Sequence, residues 1–244
     1  MNRPERRNAL SDEMLRGMAA ALREAETASD VRCVVLTGAG GAFCSGADLG
    51  DSEGPTNDPS RSALSRMRRL GDVALALHHI SKPTIAKVDG VAVGAGFSLA
   101  LGCDLVVCTE QARLSMIFAK RGLSLDNGAS WLLPRLIGMA RAKEVALFGD
   151  MWSAEEALAI GLVNRVLPVS EVDAFVDDWA RRLADGPPLA ISMTKSLLHA
   201  SSNASMEQAV EDEARCQALN FSSQDTQEAM AAFKEKRAPV FIGR

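Results

Sequence analysis

A glycine-rich stretch between residues 90 and 104 has the residue types and the spacing to hold an anion. Gly90, Gly94 and Gly96 follow an apolar run, and a helical pattern without charge then continues to Asp104. Glycine allows close approach of the backbone and positive φ angles. A strand that ends in glycines before a helix leaves unpaired N–H groups at the positive end of the helix dipole. The stretch therefore predicts a binding place for an anion or a developing oxyanion.

A second glycine-bearing loop is expected at Ala42–Leu49. It follows the β-branched run Val31–Leu36, which predicts a buried strand, and the segment Thr37-Gly-Ala-Gly-Gly. These glycines do not have the G-x-G-x-x-G spacing, and no acidic residue ends a following strand at the right distance. The chain also contains no tyrosine, which excludes a Tyr-x-x-x-Lys catalytic pair. We therefore reject a dinucleotide-binding function.

Asp126 is the candidate base, and the local sequence leaves two interpretations open. It stands just ahead of Trp131 and a leucine-rich helix. One interpretation is an aspartate that caps the N-terminus of that helix. The other is a carboxylate in an apolar pocket, whose pKa desolvation would raise into the range of a useful base.

Ser98 is the candidate for a nucleophile, because Gly96-Phe-Ser-Leu-Ala100 resembles a nucleophile elbow. A serine nucleophile needs a histidine base. Only His199 lies downstream, and His78 and His79 lie on a predicted helix with the spacing of core residues. We therefore interpret Ser98 as a small helix residue that faces the site.

Composition excludes several other classes of function. The formal net charge is −4 and 24% of the 244 residues are charged, which argues against a nucleic-acid-binding protein. Five cysteines without a CxxC pair, together with three histidines, support neither a disulfide framework nor a metal site, and they favour the cytoplasm. The uncharged apolar stretch at residues 91–103 is too short to span a membrane.

Hydrophobic periodicity predicts the elements that must position these residues. Helices are expected over Asn8–Ala28 and Arg61–Ile80, with a surface loop at Asp51–Ser60 between them. Strands and helices alternate early in the chain, whereas helices dominate late. We therefore expect an α/β fold, with a core domain over residues 1–185 and a helical C-terminal region over residues 186–244.

The motifs together resemble the crotonase superfamily, the enoyl-CoA hydratase/isomerase family. They occur in family order and cover nearly the whole chain. The matching segments are Asn2–Leu10, Leu36–Leu49, Lys82–Asp104, Leu133-Pro-Arg-Leu-Ile-Gly138, Ala157–Val163 and Phe233-Lys-Glu-Lys-Arg237. This resemblance implies a β-β-α spiral core, a helical C-terminal trimerisation region and assembly into homotrimers or hexamers.

The resemblance also implies an acyl-CoA thioester substrate, with no cofactor beyond the coenzyme A of that substrate. Its carbonyl oxygen would lie between the backbone N–H groups of Ala47 and Ala95, and each such donor typically contributes about 2.7–4 kcal/mol to the transition state. The implied coenzyme A contacts come from both ends of the chain. They are Arg6 and Arg7 for the phosphates, Ser45, Asp48 and Leu49 near the adenine, and Phe233 and Lys236 from the C-terminal region.

The positions of the catalytic carboxylates depart from the hydratase pattern. Hydratases carry two glutamates, and the matching residues here are Ser98 and Phe118, neither of which can transfer a proton at neutral pH. Asp126 matches the aspartate that acts as base in related isomerases. It also matches the nucleophile of a dehalogenase, but the partners of that nucleophile match Gly71 and Phe118 here, which disfavours dehalogenation.

We therefore predict double-bond isomerisation of an enoyl-CoA, with Asp126 as the base. The acyl pocket is expected to involve Phe97, Met116, Phe118 and Trp131, beside the helix at residues 61–80. Two alternatives remain. One is a 2-enoyl-CoA hydratase of fatty acid β-oxidation, a lyase in which Asp126 orients the water. The other is a non-catalytic relative that binds acyl-CoA.

Overall fold

The computed structural model describes residues 1–48 and 63–244, so Leu49 and the loop predicted at Asp51–Ser60 lie outside the described residues. The helices are α1 (Asp12–Thr27), α2 (Ala63–His79), α3 (Ala95–Leu101), α4 (Ala129–Phe148), α5 (Ala154–Ala159), α6 (Val169–Ala184), α7 (Pro188–Ser201), α8 (Met206–Phe221) and α9 (Gln224–Glu235). The strands are β1 (Val34–Thr37), β2 (Thr84–Val88), β3 (Val91–Val93), β4 (Leu105–Thr109), β5 (Arg113–Ser115), β6 (Trp152–Ser153) and β7 (Arg165–Leu167).

The described strands form two sheets, and neither sheet consists only of strands that follow one another in the chain. A four-stranded sheet has the order β1-β2-β4-β7, and a three-stranded sheet has the order β3-β5-β6. Three pairs of neighbouring strands are parallel, namely β2 with β4, β4 with β7, and β3 with β5. Strand β2 is buried along nearly its whole length, as its apolar run predicts. The α/β class predicted from the sequence is confirmed.

Most of the predicted elements are present, and their boundaries have local causes. Helix α1 begins where the Ser11 hydroxyl accepts a hydrogen bond from the Met14 amide, and it buries Leu15 and Leu22. The helix predicted at residues 61–80 is α2, whose fully buried residues include Val73.

The described residues divide into two compact units. Unit 1 comprises Met1–Thr27, Val35–Ile80 and Thr84–Asp177, and unit 2 comprises Ala28–Val34, Ser81–Pro83 and Asp178–Arg244. Unit 1 contains Ala47, Ala95 and Asp126, and therefore every residue proposed to act on the thioester. The domain division predicted between residues 185 and 186 stays a prediction.

Unit 2 consists mainly of helices, and the end of the chain is attached to the start of α9. The buried Asp225 carboxylate accepts hydrogen bonds from the Ile242 amide at 2.7 Å and the Gly243 amide at 2.9 Å. The Gln224 amide donates to the Arg244 carbonyl oxygen at 2.8 Å. These bonds fix the C-terminal segment against α9.

Neither a metal-binding cluster nor a membrane-spanning helix occurs in the described residues. Within residues 1–48 and 63–244, no group of three or more His, Cys, Asp or Glu side chains is arranged to hold a metal ion. None of the helices described in these ranges is both long enough and apolar enough to cross a membrane.

Candidate active site

The glycine-rich stretch forms the turn from strand β3 into helix α3. Gly94 lies at the turn with φ 55° and ψ −126°, a conformation that only glycine adopts readily. Its amide donates to the Ser115 carbonyl oxygen at 2.8 Å. A methyl group on Gly96 would lie 2.4 Å from the Cys44 carbonyl oxygen. The absence of a side chain at Gly96 therefore lets α3 pack directly against the second glycine-bearing loop.

The described part of that second loop, residues 42–48, runs beside β3. The Cys44 amide donates to the Val91 carbonyl oxygen, and the Val93 amide donates to the Cys44 carbonyl oxygen, both at 2.9 Å. Gly46 has a φ of +97°, and a methyl group on it would lie 3.9 Å from the Ala95 amide nitrogen. The loop that carries Ala47 is thus adjacent to the start of α3.

The amides of Ala47 and Ala95 are available as donors. No backbone carbonyl of the described residues accepts a hydrogen bond from either one. Ala95 is the first residue of α3, and the first amides of a helix have no partner within the helix. Ala47 is exposed, whereas Ala95 is buried. Two adjacent amides that donate to no described backbone carbonyl are the arrangement that an oxyanion hole requires.

Asp126 does not cap helix α4. The N-cap residue is Gly128, which has a φ of +83° and no side chain to form a cap. One carboxylate oxygen of Asp126, Oδ1, is buried and has no hydrogen-bond partner among the described residues. Burial raises the pKa of Asp126 to about 6. Of the two interpretations that the sequence left open, the helix cap is therefore excluded and the raised pKa is supported. Asp126 does not belong to the lining of the apolar cavity described below.

Asn127 is a site residue that the sequence reasoning missed. It is 6% exposed and has a φ of +50°. Its side-chain amide donates from Nδ2 to the Ala95 carbonyl oxygen at 3.4 Å. The signal in the sequence was the Asn-Gly pair, because asparagine and glycine tolerate left-handed conformations. Asn127 connects the segment that carries Asp126 to the residue whose amide begins α3.

Ser98 and Phe118 are both buried beside this turn. The Ser98 hydroxyl donates to the Gly94 carbonyl oxygen at 3.2 Å, one helical turn back. The Phe118 ring lies 3.7 Å from the position that a methyl group on Gly94 would occupy. Neither side chain can donate or accept a proton in the way that a glutamate would.

A cavity of about 310 Å³ opens between α2, α3 and the start of α4. Its lining is mostly apolar and includes Ser98, Asn127 and Trp131. The Trp131 ring contacts the His78 ring edge-on, with centroids 5.2 Å apart, and the Arg135 guanidinium lies 4.0 Å from the Trp131 ring centroid. Of the four residues expected around an acyl pocket, Trp131 lines this cavity. Phe97, Met116 and Phe118 are buried and are not part of its lining.

The residues expected to contact coenzyme A near the N-terminus are close to one another. Arg6 and Arg7 are exposed, and their carbonyl oxygens accept hydrogen bonds from the Ser45 hydroxyl at 3.2 Å and the Ser45 amide at 3.0 Å. Asp48 is buried, and its carboxylate forms an ion pair with Arg3 at 2.8 Å. Leu49 lies outside the described residues.

The two C-terminal candidates belong to unit 2. Phe233 lies in the last turn of α9 and is 85% exposed. Lys236 caps the same helix with a φ of +57° and is exposed. Their predicted contact with coenzyme A stays a prediction.

Comparison with known proteins identifies the family. A family model described as enoyl-CoA hydratase/isomerase matches residues 1–244. The chain is 37% identical over 245 residues to the 1,2-epoxyphenylacetyl-CoA isomerase of Escherichia coli (strain K12), a match that covers 100% of this chain and 94% of that protein. It is 39% identical over 247 residues to a Rhodobacter capsulatus protein named a probable enoyl-CoA hydratase, covering 100% of this chain and 93% of that protein.

Solved structures agree with the sequence comparison and confirm the crotonase-type core predicted from the sequence. The crystal structure of an enoyl-CoA hydratase from Bacillus anthracis matches with a TM-score of 0.94 at 30% identity, covering 99% of this chain and 93% of that chain. The match over residues 1–244, the similarity in fold and the two adjacent glycine-bearing loops indicate the same family. The chain therefore belongs to the enoyl-CoA hydratase/isomerase family of the crotonase superfamily.

Proposed function

We propose that the protein moves a carbon–carbon double bond in an enoyl-CoA thioester, with Asp126 as the base. The observation that carries this proposal is the state of the Asp126 carboxyl group. One of its oxygens is buried without a hydrogen-bond partner in the described residues, and burial raises its pKa to about 6. At pH 7 such a group is mostly ionised, yet basic enough to take a proton from carbon in an activated substrate.

The amides of Ala47 and Ala95 activate the substrate in this proposal. Both belong to adjacent segments, and neither donates to a described backbone carbonyl. Aimed at the thioester oxygen, they would stabilise the negative charge of the enolate. Each donor of this kind is typically worth about 2.7–4 kcal/mol in the transition state.

In the proposed reaction, one base moves a proton between two carbon atoms of the substrate. With a 3-enoyl-CoA, Asp126 removes a proton from C2, and the electron pair moves towards the thioester oxygen to form a dienolate. The protonated Asp126 returns the proton to C4, and the double bond now lies between C2 and C3. The carboxylate is regenerated, so atoms and electrons balance without a further reactant.

The buried residues at the two hydratase glutamate positions support isomerisation over hydration. Ser98 donates its hydroxyl hydrogen to the Gly94 carbonyl oxygen, and Phe118 has no titratable group. General acid–base catalysis contributes about 10²–10⁴-fold, so water addition without either glutamate is expected to be slow. Both reactions occur among the names of similar proteins, since the Escherichia coli relative at 37% identity is named an isomerase and the Rhodobacter capsulatus relative at 39% identity a probable hydratase.

The cavity lined by Trp131 is the proposed site of the acyl group. Its volume of about 310 Å³ is at the lower end of the range for small-molecule sites, which favours an acyl group of modest size. The His78 and Trp131 rings give it an aromatic wall that suits either a ring or a short chain. The name of the Escherichia coli relative includes a phenylacetyl group, so aryl-CoA esters belong among the candidate substrates.

We propose the remaining features from the family resemblance. Arg6, Arg7, Ser45, Asp48, Leu49, Phe233 and Lys236 would contact coenzyme A, and the chain would assemble as a homotrimer or hexamer. No cofactor beyond the coenzyme A of the substrate would be needed. All five cysteines are free thiols, which favours a reducing compartment such as the cytoplasm.

A substrate panel tests the proposal. The protein is incubated with 2-enoyl-, 3-enoyl- and aryl-CoA esters, and the products are identified by mass spectrometry and NMR. We expect conversion of 3-enoyl- to 2-enoyl-CoA, with loss of this activity in Asp126→Asn and retained binding of the ester by calorimetry. Asp150→Asn, a change of an exposed carboxylate, is the matched control and is expected to keep the activity.

Other outcomes contradict the proposal in different ways. Rapid hydration of 2-enoyl-CoA without isomerisation would identify a hydratase. Binding of every ester without turnover would identify an acyl-CoA-binding relative. Full isomerase activity in Asp126→Asn would show that another group is the base.

A further inference from the structure

The orientation of the Ala47 amide is set by bonds on either side of it. The Leu10 amide donates to the Gly46 carbonyl oxygen at 2.8 Å, and the Asp48 amide donates to the Leu10 carbonyl oxygen at 3.0 Å. Ala47 lies between these two bonds and is paired with Leu10 in parallel orientation. The segment around Leu10 therefore determines the direction in which the Ala47 amide points.

The side chain of Asp48 adds a second attachment at the same place. It is 7% exposed, and its Oδ2 atom lies 2.8 Å from the Arg3 Nη1 atom. The same Arg3 nitrogen donates to the Ala9 carbonyl oxygen at 2.8 Å. One guanidinium nitrogen thus joins the residue after Ala47 to the residue before Leu10.

Arg3 is itself held in place. Its amide donates to the Asn8 Oδ1 atom at 2.8 Å. Asn8 is fully buried, and its Nδ2 atom donates to the Ala39 and Ala42 carbonyl oxygens at 2.9 and 2.7 Å. This series of bonds links the start of the chain to both ends of the second glycine-bearing loop.

The Arg3–Asp48 pair combines an arginine with a buried carboxylate for chemical reasons. A buried carboxylate needs an opposite charge, because an unpaired buried charge is strongly unfavourable. Arginine can meet a carboxylate and a carbonyl oxygen at once with a rigid planar group, whereas lysine presents a point charge on a flexible stem. Arg3 uses this capacity for Asp48 and Ala9.

We propose that the Arg3–Asp48 ion pair is a positioning device for the first oxyanion donor, the Ala47 amide. It rests on the proposed function, because that function makes Ala47 a donor. Arg3 and Asp48 do not contact the reacting atoms in this proposal. They fix the loop so that the Ala47 amide and the Ala95 amide converge on one oxygen.

The proposal predicts a loss of catalysis that exceeds any loss of binding. Misplacement of a catalytic group by about 1 Å can cost about 10²-fold in rate. We therefore expect Arg3→Lys to lower kcat about 10- to 100-fold with a small change in KM. Asp48→Asn should lower kcat to the same extent, in addition to any change in KM that follows from its proposed contact with coenzyme A. The apparent pKa of the activity should stay the same, because Asp126 is not altered.

A spectroscopic measurement separates positioning from general destabilisation. A conjugated aryl-enoyl-CoA absorbs at longer wavelength when its thioester carbonyl is polarised, so its spectrum on the protein reports the oxyanion hole directly. We expect a red shift with the wild type and a smaller shift with Arg3→Lys and Asp48→Asn. Thr109→Val is the matched control. It removes a buried hydroxyl that donates to Asp89 at 2.9 Å, and it should keep the full shift.

The outcomes distinguish this proposal from the proposed function. A full red shift and unchanged kcat in both folded variants would contradict the positioning role alone. If Arg3→Lys and Asp48→Asn lowered kcat only as much as Thr109→Val does, at the same melting temperature as that control, the result would also contradict the positioning role. A wild type that binds the ester without any red shift would contradict the oxyanion assignment, and the positioning role with it. Asp48→Asn has nearly the same shape as the wild type and carries the test if Arg3→Lys does not fold.

Discussion

The side-chain amide of Asn127 donates to the main-chain carbonyl oxygen of Ala95 at 3.4 Å. Ala95 supplies one proposed oxyanion donor, and Asn127 directly follows the proposed base, Asp126. A single side chain therefore connects the two halves of the proposed catalytic apparatus. Asn127 reaches this position with a φ of +50°, a conformation that asparagine tolerates better than most residues.

Replacement of Asn127 should separate its backbone role from its side-chain role. Asn127→Gly keeps the left-handed conformation but loses the bond to Ala95, whereas Asn127→Ala loses the bond and also strains the backbone. We expect both variants to have lower kcat, and Asn127→Ala to be less stable than Asn127→Gly by about 1 kcal/mol. Urea unfolding and steady-state kinetics measure the two effects. Equal stability of the two variants would contradict the strain, and unchanged kcat in Asn127→Gly would contradict the role of the bond.

The raised pKa of Asp126 predicts a specific pH dependence of the activity. The ionised carboxylate is the base, so kcat/KM should rise about tenfold per pH unit below pH 6 and level off above it. Rates with a 3-enoyl-CoA between pH 4.5 and 8 give the profile. A midpoint near pH 4 would show that burial does not raise the pKa of the catalytic group.

The same group should lower the stability of the folded protein at neutral pH. Burial disfavours the ionised form, so the contribution of Asp126 to the free energy of unfolding should fall as the pH rises from about 4 through 6. Asp126→Asn cannot ionise and should be more stable than the wild type above pH 6, by about 1–2 kcal/mol after allowance for partial exposure. The difference should vanish below pH 4. Urea unfolding of the wild type and Asp126→Asn at pH 4 and pH 7 tests this prediction. Equal stability of the two proteins at both pH values would contradict it.

Replacement by alanine is expected to change the stability of the protein in opposite directions at Gly96 and at Gly17. A methyl group on Gly96 would lie 2.4 Å from the Cys44 carbonyl oxygen, so Gly96→Ala should cost about 1–3 kcal/mol of stability and displace the loop that carries Ala47. Gly17 lies in α1 with no atom within 4 Å of such a methyl group. Gly17→Ala should therefore stabilise the protein by about 0.5–1 kcal/mol. Denaturant titration of both variants checks the pair, and a neutral Gly96→Ala would show that the two segments can move apart.

Trp131 should determine which acyl groups fit the cavity. Its ring is held by the His78 ring and the Arg135 guanidinium, so it forms a fixed wall. Trp131→Ala should enlarge the cavity and shift kcat/KM towards longer acyl chains by about tenfold or more, with Trp131→Phe intermediate. A series of enoyl-CoA esters of increasing chain length measures the shift. The same chain-length preference in all three proteins would place the acyl group elsewhere.

The sequence by itself determined the α/β class, the glycine-bearing turn at Gly94 and the helix at residues 63–79. These features depend on local preferences and on hydrophobic periodicity, which act within a few residues of the chain. Glycine at position 94 is required by its own φ angle, so the residue type alone indicates the turn. The family motifs pointed to Ala47, Ala95 and Asp126 as well, but not to their surroundings.

Only the tertiary structure decided how those residues are supported. The local sequence could not tell whether Asp126 caps a helix, because that depends on where α4 begins, and it begins after Gly128. The contacts of Asn127 with Ala95 and of Arg3 with Asp48 join residues 32 and 45 positions apart. Neither pair has a local pattern, because such contacts arise when β3, α3 and the N-terminal segment pack together. Burial of the Asp126 carboxyl group, and with it the raised pKa, likewise depends on that packing.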